Sequence, residues 1–253
     1  MNQVLLKEER HSFIMRQINV HNKVLSTDLS HQLQVSEDTI RRDLKELADA
    51  GKVLKVHGGA IGRSFHYPFN GNSEVYAQEA KQQIAAKVIT LLKNDMVILT
   101  GGGTTMIELA QQIPDTLRAT FFTISPLVAL KLSDHPNLTV FSIGGQLSKS
   151  ASVHIGASVI NALSDIRVDL CLLGANGLSV QEGMTDSDWE VVQVKRAMIR
   201  SAQKLCVLSI AEKLNSVQRM KVCDLNLIHY LVTELPPNSH FLNNYRHLDL
   251  VLL

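Results

Sequence analysis

Six short apolar runs, each followed by a polar or glycine-rich break and a helical stretch, constrain this chain more than any other feature. They are Met96–Leu99, Ala119–Thr123, Leu138–Ile143, Val168–Leu173, Lys204–Ser209 and Ile228–Thr233, with a late candidate near Leu248–Leu252. Several, such as Leu170-Cys171-Leu172-Leu173, lack the alternation of a sheet with one wet face. Strands buried on both faces read this way, and strands alternating with helices run parallel. The pattern predicts an α/β domain with a mainly parallel sheet over residues 74–253. A helix over Glu74–Leu92 should open it, with Ile84, Ala85, Val88, Ile89 and Leu92 on one face.

Residues 1–60 have a different texture. A helix is expected over Leu6–Asn19, burying Phe13, Ile14 and Ile18, and a second over Thr27–Leu33, capped by Ser26. After the short turn Gln34-Val35 comes a third helix with Ser36 as N-cap and Glu37 and Asp38 in its first turn, where the helix dipole favours acids. Its Ile40, Leu44 and Leu47 recur at i, i+4 and i+7 and form one buried stripe. At about 100° per residue, Arg42 points away from that stripe and Arg41 lies on its flank. Gly51 ends the helix as a C′ glycine. Lys52–Ala60 then alternates and turns at Gly58-Gly59, as a hairpin does. Two helices joined by a tight turn, the second exposing arginines, form a helix-turn-helix, and a following hairpin makes it winged. A solvated helix explains the arginines as well, because Glu37–Arg41 and Asp38–Arg42 are favourable i, i+4 pairs.

Composition narrows the classes without deciding among them. The chain has 253 residues, 45% hydrophobic and 19% charged, with net charge +1. Residues 1–63 hold ten Lys/Arg against eight Asp/Glu, so any DNA affinity depends on where charges sit. No apolar run is long enough for a membrane span, and Met1–Arg10 lacks the apolar core of a secretory signal, so a cytoplasmic protein is expected. Cys171, Cys206 and Cys223 are far apart in apolar settings, which suggests buried inert thiols and neither a disulfide framework nor a zinc site.

In parallel sheets, ligands bind at the carboxyl ends of strands. The richest such end is Leu99-Thr100-Gly101-Gly102-Gly103-Thr104-Thr105, ahead of a helix over Met106–Gln112. Converging amides, a helix N-terminus and two hydroxyls are the parts of a phosphate cradle, although a tight turn with capping threonines would look alike. Three further glycine segments sit where other strands should end: Ile143-Gly144-Gly145-Gln146, Gly174-Ala175-Asn176-Gly177 and Glu182-Gly183-Met184-Thr185-Asp186. Lys213, just past the Lys204–Ser209 run, is either an anion partner there or an ordinary surface lysine.

Val35-Ser36-x-x-Thr39-Ile40-Arg41-Arg42-Asp43-Leu44, then Leu47, Gly51 and Val56-His57-Gly58-Gly59-Ala60, resembles the N-terminal winged helix of DeoR-family bacterial transcription regulators. The order of the later segments resembles that family's C-terminal sensor domain, which is Rossmann-like and similar in fold to ribose-phosphate isomerases. Trp189-Glu190-x-x-Gln193-Val194-Lys195-Arg196-Ala197-Met198 matches the helix that follows its Gly183 segment. The resemblance implies residues 1–60 as a DNA-binding domain, 61–73 as a linker and 74–253 as a sensing and oligomerising domain. DNA contacts would come from Ser36, Thr39, Arg41, Arg42, Lys45, Lys55 and His57, on double-stranded operator DNA. Gly102, Gly103, Thr104, Thr105, Gly144, Gly145, Gly174, Asn176 and Lys213 would line a pocket for a phosphorylated sugar or related metabolite. A homo-oligomer without cofactor, metal or catalytic residues is implied, with repression the commoner behaviour.

The chain departs from that pattern at four places. Gly101 and Ile210 stand where the family has Asp, Ile124 stands where it has Asn, and Glu212 immediately precedes the lysine. Fewer hydrogen bonds to sugar hydroxyls follow, and Glu212 beside a phosphate would be unfavourable. Two other readings stay open: a regulator whose pocket is vestigial and only oligomerises, and an isomerase-like enzyme with an accessory DNA-binding domain.

Overall fold

The computed structural model describes residues 6–21, 23–62 and 75–253. The chain divides into two compact units, Met1–Tyr76 and Ala77–Leu253.

The first unit contains α1 (Lys7–His21), β1 (Lys23–Leu25), α2 (Ser26–Leu33), α3 (Glu37–Asp49), β2 (Val53–Val56) and β3 (Gly59–Gly62). Ile14, Ile18, Leu29, Leu33, Ile40, Leu44 and Leu47 form its core together with Val53 and Ala60, while Phe13 is only partly buried against it. Ser26 does not cap α2. Leu25 occupies that position, and the Ser26 amide donates instead to the Gly58 carbonyl at 2.8 Å. The wing has three strands, not two, because β1 pairs with β3 on the side opposite β2. Its turn is His57-Gly58, with Gly58 at φ 75°, and Gly59 already lies in β3. Ile61 and Gly62, read as the start of a linker, end that strand; residues 63–73 of the expected linker, and Glu74, lie outside the described residues.

Gly59 is required by contact. A Cβ there would lie 1.9 Å from the Val24 carbonyl oxygen, whereas one on Gly58 would meet nothing within 4 Å. Gly59→Ala is expected to destabilise the wing by about 1–3 kcal/mol or more, as overpacking against rigid backbone does. Gly58→Ala should carry only the left-handed backbone penalty of about 1–2 kcal/mol. Chemical denaturation of the two variants side by side checks the order.

The second unit opens with α4 (Gln78–Ile89), then β4 (Val97–Thr100), α5 (Thr104–Gln112), β5 (Ala119–Thr123), α6 (Pro126–Ser133), β6 (Leu138–Ser142), β7 (Gln146–Ser148), β8 (Val153–Ile155) and α7 (Ala157–Ser164). It continues with β9 (Val168–Gly174), β10 (Gly177–Ser179), β11 (Gly183–Asp186), α8 (Trp189–Arg200), β12 (Ala202–Leu208), β13 (Met220–Cys223), β14 (Tyr230–Val232) and β15 (Val251–Leu252). Seven of these strands form one sheet in the order β15-β14-β12-β9-β4-β5-β6, and every pairing in it is parallel. Each apolar run of the sequence supplies one strand of that sheet. Leu170, Cys171, Leu172 and Leu173 of β9 are all at 2% exposure or less, as a strand covered on both faces requires. Cys171, Cys206 and Cys223 are free and buried.

The sequence pattern missed two smaller features. β7 and β8 form an antiparallel hairpin, and β10, β11 and β13 form a separate antiparallel sheet. Gly183 therefore does not end a strand of the main sheet. It turns the β10–β11 hairpin at φ 72°, and a Cβ there would lie 2.2 Å from the Cys223 carbonyl oxygen.

Candidate functional site

The Gln34 turn sets how α3 leaves α2. Gln34 takes a left-handed conformation at φ 53°, its amide donates to Ser30, and Ser30 Oγ donates to the Val35 carbonyl at 2.6 Å. Ser36 Oγ then accepts from the Thr39 amide at 3.2 Å and lies 3.0 Å from the Thr39 hydroxyl. At the other end, the Gly51 amide donates to Ala48 and the Lys52 amide to Leu47, with Gly51 at φ 70°, which is a complete Schellman motif.

A buried charge, not only the apolar stripe, anchors α3. Asp43 is 3% exposed and accepts from Arg10 Nε at 2.8 Å, Arg10 Nη2 at 3.0 Å and His11 Nε2 at 3.2 Å. It ties α3 to α1. The expected pairing on the outer face is partly corrected. Arg41 holds both acids, Glu37 and Asp38, each at 2.9 Å. Asp38 is thus committed to Arg41 rather than Arg42, the shorter i, i+3 reach being geometrically available on a helix. Among the described residues, the exposed Arg42 has no ion-pair or hydrogen-bond partner. Arg42 and Lys45 stand one turn apart on the exposed face, with Thr39 half-buried beside them, and Lys55 and His57 are exposed on the wing.

In the second unit, chain order fixes the topological switch point of the sheet. β5 and β6 continue outward from β4 on one side, while β9, β12, β14 and β15 extend the other way. The boundary between β4 and β9 is the topological switch point, outside whose carboxyl ends doubly wound sheets bind ligands. Gly101 leaves β4 there, its amide donating to the Leu172 carbonyl at 3.0 Å. Gly103, at φ 110°, starts α5, and its carbonyl accepts from Met106 and Ile107. The amides of Gly103, Thr104 and Thr105 have no protein acceptor among the described residues, the usual state of a helix N-terminus. Gly102 lies close under the β8 strand: a Cβ would come within 2.4 Å of Val153 Cγ1. At the end of β4, Thr100 Oγ1 is buried without a hydrogen-bond partner among the described residues.

Across the switch point lies a charged cluster. Asp186, 2% exposed, accepts from Lys195 Nζ at 2.7 Å, Asn176 Nδ2 at 3.0 Å and the Ser187 amide at 2.7 Å. Burial alone would raise its pKa, but the Lys195 charge and these hydrogen bonds outweigh it and hold the carboxyl below its ordinary value. Lys195 also donates to the Gly174 carbonyl at 2.9 Å. Lys213 follows β12 in a short 3-10 turn. Desolvation, and then the charges of Lys81 and Lys195, lower its pKa to about 7 against the opposing pull of Asp186. Lys81 of α4, 8% exposed, is lowered to about 8 by burial, with the nearby Glu108 pulling the other way.

The structure brings Gly174, Asn176 and Lys213 together through Lys195 and Asp186, and places Gly102, Gly103, Thr104 and Thr105 at the neighbouring strand end. Gly144 and Gly145 lie farther out. They end β6, two strands from β4 or about 10 Å by strand spacing, and Gly145 packs against Val159 and Ile155. Lys81, Lys195 and Asp186 were not singled out from sequence. A signal for both lysines exists, since Lys81 precedes Ile84 and Ala85 on a buried stripe and Lys195 falls four residues after the buried Val191.

Residues 10–64 match the model of the DeoR-like helix-turn-helix domain, and residues 76–235 match that of the DeoR C terminal sensor domain. The chain belongs to the DeoR family of transcription regulators. It is 31% identical to the HTH-type transcriptional regulator GolR of Listeria innocua, over 89% of this chain and 90% of that protein. It is 26% identical to the glycerol-3-phosphate regulon repressor of Escherichia coli, over 90% of this chain and 91% of that one. Among solved structures, ribose 5-phosphate isomerase A of Methanocaldococcus jannaschii is a distant likeness, with TM-score 0.41 and 16% identity over 54% of each chain. Among the described residues, no helix of this DeoR-family regulator is long and apolar enough to cross a membrane. At the positions read above as departures, Ile124 and Ile210 are 2% and 4% exposed, and Gly101 has no side chain. Glu212 is exposed.

Proposed function

We propose that this regulator is a repressor of a sugar or related metabolic operon, with DNA affinity set by a phosphorylated metabolite held at the ends of β4, β9 and β12. What supports the reading is a glycine-led helix N-terminus at the end of β4, next to the β9 end where Lys195 holds Asp186 and the Gly174 carbonyl. The dipole and amides of α5 favour a phosphate, and Gly102, Gly103, Thr104 and Thr105 form its cradle. Gly174, Asn176 and Lys213 form the other wall, held by Lys195 and Asp186. Gly144 and Gly145 are assigned to the rim of the same crevice. Thermal-shift screening of phosphorylated metabolites tests this directly. A specific hit that is lost in Lys213→Ala supports it, and the absence of any hit would favour a C-terminal domain that only oligomerises.

In the DNA-binding unit, residues 1–60, Arg42 is assigned to base edges, with Thr39 and Lys45 beside it. Ser36, Arg41, Lys55 and His57 are assigned to the backbone, Arg41 because its guanidinium is already shared with two acids. Identical subunits would place two α3 helices on a repeated or palindromic operator. Lys55→Ala is expected to weaken all duplexes alike and to reduce the salt slope of binding by about one. Binding isotherms from 50 to 200 mM salt check it, at ionic strengths of roughly that span where counterion release dominates.

Effector affinity should also depend on pH. An anion beside Lys213 binds the ammonium form, so above about pH 7 the free protein must take up a proton to bind. Affinity is therefore expected to fall as pH rises from 7 to 9, by up to about tenfold per unit, in a range where a phosphate monoester is already dianionic. Calorimetry in two buffers of different ionisation enthalpy reads the proton uptake.

A further inference from the structure

The seven-stranded sheet has two edges that differ in kind. At one, β15 is only the two-residue strand Val251–Leu252. At the other, β6 runs Leu138-Thr139-Val140-Phe141-Ser142 in unbroken register with β5, without a charged residue, a proline or a bulge. Short strands, lysines, prolines and bulges are the devices that keep sheet edges from pairing with further strands. β15 has the first of them and β6 has none. Among the described residues, the backbone of β6 pairs with β5 alone, so its outward amides and carbonyls have no strand partner.

Exposed apolar side chains accompany that edge. Phe141 is 50% exposed and stacks on Phe122 of β5, with ring centroids 4.8 Å apart and planes 13° from parallel. The register puts this pair on one face of the sheet and Phe121 with Val140 on the other, where Phe121 is fully buried. Leu130 of α6, the helix packed on β6, and Leu147 of β7 are 55% and 50% exposed. A pair of five-residue strands falls short of the roughly 800 Å² per partner of a standard interface, and Phe141, Leu130 and Leu147 are apolar area available to extend it.

Charge selects the occupant. In a two-fold contact each surface meets its own copy, so a charge near the axis of such a strand would repel itself. β6 carries none. Antiparallel pairing centred on Val140 sets Thr139 opposite the partner's Phe141 and Leu138 opposite the partner's Ser142, an uncharged match along the whole strand. We propose that a second copy of this chain docks edge to edge on β6, joining two seven-stranded sheets through an antiparallel β6–β6 pair. The contact supplies the two subunits invoked above for the operator, and it stands apart from how α3 reads DNA and from what the crevice holds.

Sedimentation of the full chain over a range of concentrations, without DNA, tests it. The wild-type protein should self-associate as a dimer or a multiple of one. Thr139→Lys with Phe141→Lys sets lysine against lysine across the two-fold axis, and Thr139→Glu with Phe141→Glu sets glutamate against glutamate. Each double variant alone should raise the dissociation constant about tenfold or more, through like charges directly opposite and the lost aromatic contact. Mixing the two places lysine opposite glutamate at both positions and should restore association, a recovery that misfolding cannot produce. A monomeric wild type, variants that keep the wild-type constant, or a mixture of folded variants that stays dissociated would each overturn the inference while leaving α3 as the DNA-reading helix. Circular dichroism establishes that the variants are folded; should either double variant fail, Thr139→Lys alone, at an exposed position, must weaken association.

Discussion

Replacing Asp43 by Ala is expected to cost the DNA-binding unit about 3–5 kcal/mol, the usual penalty for removing one partner of a buried ion pair. Asp43 and Arg10 have side chains 4% and 13% exposed, so the loss should fall towards the lower end of that range. Removing the carboxylate takes from Arg10 and His11 their buried acceptor on α3 and leaves Glu46, paired with Lys7 and His11, as the more exposed charged link between α1 and α3. A small unit with a stability of about 5–10 kcal/mol would be left marginal at physiological temperature. Asp43→Asn, which keeps size and loses charge, should be nearly as damaging. The paired change Arg10→Met with Asp43→Leu should recover much of the loss, because apolar replacement of a whole buried pair is often neutral. Urea denaturation followed by circular dichroism reads all three. Asp43→Ala unfolding at the wild-type midpoint would mean that the apolar stripe alone positions α3.

The second large effect is on recognition. Arg42→Ala is expected to weaken specific DNA binding by about 1–3 kcal/mol, roughly 5- to 150-fold, and to relax base preference at one position of each half-site. Its stability should be unchanged, since Arg42 is exposed and without a partner among the described residues. Arg41→Ala releases Glu37 and Asp38 and should affect all sequences more evenly. Selection from random duplexes with wild type and both variants separates the two roles. An identical selected motif for wild type and Arg42→Ala would remove Arg42 from the base-reading role.

The fold was largely legible because its signals are local and repeated. Unalternating runs such as Leu170–Leu173 specify strands covered on both faces, and the α3 stripe with Gly51 specifies both the length and the end of that helix. The β7–β8 hairpin and the β10–β11–β13 sheet were not legible, because strands of three or four residues carry too little periodicity. β1 was hidden for the same reason. Its pairing with β3 is recorded in sequence mainly by Gly59, a residue read as part of the turn.

The sites were legible by halves. Glycine clusters mark where backbone can approach a ligand, so the α5 end of the proposed crevice stands out in the sequence. The charged half did not, because Lys81, Lys195 and Asp186 come from α4, α8 and β11 and meet only in three dimensions. Asp43 was passed over because a carboxylate on a helix reads as solvated. Only its position three residues after Ile40 and one before Leu44 betrays that it faces inward.

In the proposed function, one chain reads DNA with α3 and adjusts that reading through a crevice at the β4–β9 boundary. Fluorescence anisotropy on a duplex selected by the wild-type protein, titrated with a metabolite that calorimetry shows to bind, tests it most directly. The expected result is a shift in DNA affinity of about 5- to 150-fold, the usual span of allosteric coupling, that disappears in Lys213→Ala at equal protein stability. A metabolite that binds the crevice while DNA affinity stays unchanged would contradict the claim.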